Sequence, residues 1–175
     1  MTLKDALLQL FDREIAISKK VLANVPTGKN DWKPHEKSMA FGYLAQLVAM
    51  MPVWVAMVCD QDELDLAAGN LKQEPWKTTE DLLAQHDRFA TQGRASLAAV
   101  SEQKLYTTNW ALKMKGQTMA NDPRHQVIAD TFTHLAHHRG QLTVYMRLLD
   151  AKVASTYGPS ADDNPWAPPK AAGAQ

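Results

Sequence analysis

NDPRHQVIADTFTHLAHHRGQLTVYMRLLD, residues 121–150, decides the fold, because a single long helix here sets what the rest of the chain must pack against. Asn121-Asp122-Pro123 reads as an N-cap followed by a proline at the first helical position. A helix is therefore predicted from there to about Asp150. At 100° per residue, Val127, Thr131, His134, His138, Leu142, Tyr145 and Leu149 fall within about 40° of His138. That stripe is the face expected to be buried, and it carries two imidazoles. His137 lies about 100° away, nearer the boundary, and Arg139 sits at the edge of the stripe. Asp130 is one turn before His134.

HLAHH, residues 134–138, holds three of the chain's six histidines. An i, i+4 pair such as His134 and His138 places its Cβ atoms about 6 Å apart, near enough to converge on one divalent cation. Without partners, buried neutral imidazoles would each strand a polar nitrogen, at a cost of about 1–3 kcal/mol. Either a metal answers that need, or hydrogen bonds from Asp130, Gln141, Tyr145 or water do. The HxxxH spacing alone does not choose between them. No Ser or Cys stands in a nucleophile turn. No Glu-x-x-His occurs, which removes a di-iron carboxylate site.

Working outward, Leu3, Leu7, Leu10, Ile15 and Leu22 recur at helical spacing to about Ala23, with Thr2 as N-cap and Asp5 at the third position. SMAFGYLAQLVAMMPVWVAMVC, residues 38–59, carries no charge and has the length of a bilayer span. Gln46 and Pro52 interrupt it, so it reads as a helix buried among neighbours, capped by Ser38 and kinked at Pro52, and not as a membrane segment. Residues 60–78 read as a long connection. A third helix is predicted from Thr78-Thr79, with Glu80 and Asp81 in its first turn. Its inner face is Leu82, His86, Phe89, Gly93, Leu97 and Val100, with His86 as a packing histidine. Trp110, Leu112 and Met114 then alternate with polar or small residues, a period of two that predicts a short extended segment or hairpin. The expected architecture is an all-α four-helix bundle with long connections and a short hairpin before the last helix. One domain is expected over 1–163, followed by a Pro/Ala-rich tail at 164–175.

The 175 residues carry 19 Lys plus Arg against 19 Asp plus Glu, a formal net charge of zero. That argues against a general electrostatic grip on nucleic acid or an anionic membrane. The single cysteine, Cys59, allows no internal disulfide or thiolate cluster, and its apolar surroundings predict a small buried hydrophobe. The first residues mix acids into an apolar pattern and lack a secretory cleavage site, so a cytoplasmic protein is expected.

Three stretches carry a resemblance. HLAHHRGQLTVYMRLLD (134–150), DWKPHEKSMAFGYLAQLVAMMPVW (31–54) and STYGPSADD (155–163) resemble the DinB family of small bacterial proteins. The resemblance implies a four-helix bundle around a pocket, with three histidines holding a divalent metal, zinc or nickel. It places the last-helix ligands at His134 and His138, and the second-helix ligand at a position occupied here by Gln46. A glutamine oxygen is a poorer ligand for these ions than imidazole. His137, Asp130 and Tyr145 would then support the ligands, and Arg139 would contact an acidic cosubstrate. The implied activity is a metal-dependent thiol transferase or hydrolase acting on a small molecule, with a thiol cosubstrate and a homodimeric assembly. The alternative is a non-catalytic small-molecule-binding or stress-response module with a degenerate metal site.

Overall fold

The computed structural model describes residues 1–69 and 74–168. Asn70 of the expected 60–78 connection and residues 169–175 of the expected tail lie outside the described residues. Helix α1 spans Leu3–Leu22; Thr2 and Asp5 form a reciprocal capping box at its start. The apolar stretch forms two helices, α2 (Phe41–Met50) and α3 (Pro52–Asp60), bent by 45° at Met51. Ala40 rather than Ser38 is the N-cap of α2, and Pro52 takes the first turn of α3. Among the described residues no single helix is long and apolar enough to cross a membrane; only this bent pair has the combined length and composition.

Helix α4 (Thr79–Ala99) has a second capping box, between Thr78 and Asp81. It packs along the break between α2 and α3. Buried His86 faces the carbonyl of Ala49 with Nδ1 (3.2 Å) and that of Ile15 with Nε2 (3.3 Å). About two turns further on, Gly93 lies so close that an added Cβ would stand 2.4 Å from the Pro52 carbonyl oxygen. A side chain there would force the two helices apart.

The expected all-α bundle with a short hairpin before its last helix is corrected to a mostly helical fold with a small three-stranded sheet, of which the hairpin is two strands. Strand β1 (Glu63–Asp65) runs parallel to β2 (Asn109–Met114), which pairs antiparallel with β3 (Gln117–Pro123). A short helix, α5 (Glu102–Thr107), precedes β2. Three residues are too few to display a strand period, which is why β1 hides in the expected connection. The hairpin turn is Lys115-Gly116, both at positive φ, the two-residue geometry that matches strand twist. The Asp65 carboxylate accepts from both turn amides, at 3.0 and 2.7 Å, locking β1 to the hairpin.

Helix α6 spans Arg124–Leu148. Asn121 and Asp122, expected as its cap, belong to β3, and Pro123 is the N-cap. Arg124 is fully buried and donates to the carbonyls of Val58 and Gln61 (2.6 Å to the latter), to Asp62 (2.8 Å) and to Thr108 (2.9 Å). A cation thus closes the carbonyl end of α3, where the helix dipole is negative. Two apolar clusters form the core. One joins α1, α2, α4 and α6; the other joins α1, α3, β2 and α6; Trp54 packs against both.

Candidate functional site

The buried residues of α6 include Arg124, Ile128, Thr131, Phe132, Leu135, His138, Arg139, Leu142 and Met146. On a helical wheel this stripe is centred about 60° from His138, on the Arg139 side. The core face is therefore rotated from the one expected. His138 is buried and His134 is exposed at the rim.

This rotation corrects the role expected of Arg139. Its side chain is 1% exposed and faces no open site. The guanidinium pairs with Glu14 Oε2 at 2.6 Å and donates to Ser18 Oγ at 2.9 Å and to the Glu14 carbonyl at 3.1 Å. The Tyr157 hydroxyl, which also accepts from Arg139, donates to the same carboxylate at 2.6 Å. Burial alone would raise the Glu14 carboxyl, but the hydrogen bonds from Tyr157 and Arg139 outweigh it and hold its pKa below the ordinary value. Glu14 continues the buried face of α1 after Leu7 and Phe11, at helical spacing. A charge at a core position on two facing helices was the sequence signal for this pair.

The histidines meet each other. Their Nε2 atoms stand 2.7 Å apart, with ring centroids at 4.5 Å. His138 Nδ1 lies 2.9 Å from Gln141 Oε1. A carbonyl oxygen only accepts, so His138 carries its proton on Nδ1. In the neutral pair, His134 Nε2–H then donates to the bare His138 Nε2. Partial burial, with His138 and His137 beside it, lowers the His134 pKa. His137 is exposed, its ring 5.1 Å from that of His138.

The other expected supports lie elsewhere. Tyr145 packs edge-on against Trp32 at 5.7 Å. Gln46 is buried; its amide donates to the Glu74 carbonyl and to Gln85 Oε1 (3.1 Å), toward α4. No hydrogen bond joins Gln46, Tyr145 or Asp130 to either imidazole among the described residues. Cys59 is buried and its thiol is pushed up to about 12 by burial and by Asp60, which removes it as a nucleophile.

Beside His134 opens a cavity of about 320 Å³. Trp110 and Leu112 of β2 face it, with Ala120 and Asp122, their direct partners across β3. Trp54 of α3 forms a second wall; Val127, Asp130, Thr131 and His134 of α6 form the third. The period of two at Trp110 and Leu112 was visible in the sequence. Asp122 was hidden because it read as a helix cap.

A model of the DinB family matches residues 2–169. The chain belongs to the DinB family. Two solved structures share the fold of this DinB-family chain. One is a DinB-like protein from Bacillus subtilis, 18% identical, with a TM-score of 0.65, covering 91% of this chain and 99% of its own. The other is a DinB-like protein from Bacillus cereus, 19% identical, with a TM-score of 0.64, covering 87% and 97%. No curated protein is similar enough to count as a relative.

The donor set also bears on a metal. Among the described residues no three His, Cys, Asp or Glu side chains are grouped to hold an ion. His134 and His138 supply two nitrogens, whereas a catalytic zinc centre draws three ligands from the protein. Around a tetrahedral zinc the two nitrogens would stand about 3.3 Å apart. At 2.7 Å they are at hydrogen-bond distance, and the pair would have to open and release the shared proton. The residues present do not fit a complete catalytic metal centre.

Proposed function

We propose that this DinB-family protein is a cytoplasmic small-molecule-binding module, in which the family's metal site survives as a hydrogen-bonded histidine pair at the rim of the ligand cavity. The observation that carries this reading is the chain Gln141–His138–His134, which satisfies the buried imidazole without an ion and ends at the mouth of a largely apolar cavity. Such a pocket, with few polar groups converging on it, is the usual form of a small-ligand site. Metal-dependent thiol transfer or hydrolysis needs a ligand set that this chain fills only in part.

A second reading rests on the convergence of the two Nε2 atoms: a weak two-histidine site for zinc or nickel, with the remaining positions taken by water. Titration calorimetry of the untagged protein with each ion separates the two. The proposed reading expects no binding tighter than the micromolar range, and no gain on Gln46→His, whose side chain faces α4. Stoichiometric, tight uptake that is lost in His134→Ala would overturn it in favour of the second.

A further inference from the structure

The cavity beside His134 is chemically lopsided. Its walls are apolar and aromatic, and its charged groups are both acids: Asp122 from β3 and Asp130 from α6. Neither carboxylate forms an ion pair or a side-chain hydrogen bond among the described residues. The basic residues nearby in the fold are engaged elsewhere: Arg124 at the end of α3 and with Asp62, Lys113 with Glu63, Arg139 with Glu14.

We propose that this cavity binds a small organic cation: a protonated amine carried on an apolar body. The proposal rests on the reading of the cavity as a small-molecule site and names the ligand class. Two carboxylates from different walls supply the counter-charge, and an anionic ligand would meet only repulsion there. Trp54 and Trp110 add indole faces, the aromatic surface that attracts cations most strongly. A volume of about 320 Å³ suits a single-ring amine better than a large cofactor.

The test compares three probes of matched size with the full chain by calorimetry and tryptophan fluorescence: phenethylamine, 2-phenylethanol and phenylacetate. The amine is expected to bind about tenfold more tightly than the alcohol, and phenylacetate not at all. Asp122→Asn and Asp130→Asn should each weaken the amine while leaving the alcohol and the thermal midpoint unchanged. Added salt should weaken the amine alone. Equal or tighter binding of the alcohol, or preference for the carboxylate, overturns the cationic class while leaving the cavity a small-molecule site. Binding of none of the three in the millimolar range overturns both.

Discussion

Arg139 and His138 are neighbours on α6, both buried, yet they belong to opposite kinds of polar structure. Arg139 points into a network that is closed in the sense that it opens on no cavity: Glu14 and Ser18 are buried, and the network meets solvent only through Tyr157 and Arg13. His138 belongs to an open chain that runs through His134 to the surface beside a cavity. The difference is about 100° of helical rotation. It teaches that a buried polar residue marks function only when its network ends at a site, because a closed network already spends every group on the fold.

Removing the guanidinium should give the largest effect. Arg139→Ala leaves buried Glu14 with only the exposed Arg13, at 3.1 Å, as counter-charge, and a loss of about 3 kcal/mol is expected from denaturant unfolding. Against a typical stability of about 5–15 kcal/mol that is a large share. The double variant Glu14→Leu with Arg139→Met removes both charges and should recover much of the loss. If Arg139→Ala costs under 1 kcal/mol, the closed half of the comparison is wrong.

Acid should act on both networks, in separate windows. The Glu14 carboxyl is held below its ordinary value of 4.5, so its ionised form is favoured in the folded state. The stability it contributes is present above pH 4.5 and is lost as pH falls through the lower folded value. His86 and His134 are also depressed, below an ordinary 6.5, because burial disfavours their charged forms. Their contribution is likewise present above pH 6.5 and lost on acidification. Thermal midpoints measured from pH 8 to pH 3 should fall in two stages, and Glu14→Gln should flatten the lower one. An unchanged lower stage would remove Glu14 from the account.

The smallest effect is expected at the open pair. His134→Ala removes one exposed partner and should cost less than about 1 kcal/mol. A loss above 2 kcal/mol in the same unfolding measurement would mean that the histidines are a structural element like Arg139, and the contrast between the networks would collapse.

Much of the framework was legible in the chain. Thr2 with Asp5 and Thr78 with Asp81 announced two helix starts through local capping chemistry. Pro52 announced the break in the apolar stretch, and the alternation at Trp110 and Leu112 announced the hairpin. HxxxH on the last helix pointed to the His134–His138 contact through i, i+4 spacing. Less of the site was legible. Arg139 read as available because its partner Glu14 is 125 residues away in sequence. Asp122 read as a cap because Asx-Pro serves turns, strand ends and helix starts alike. Gln46 could be placed on a helix, but not aimed at Gln85.

Caps, prolines and side-chain periods act over a few residues, so the helical segments, the break at Pro52, the extended stretch and the nearness of two histidines are readable in the chain alone. Which side of α6 faces inward, which charges are spent in the core, and that the hairpin, α3 and α6 enclose a cavity between them follow from the folded packing. Those outcomes depend on volumes and partners brought together from distant parts of the chain, and a rotation of about 60° on one helix was enough to exchange the roles of a histidine and an arginine.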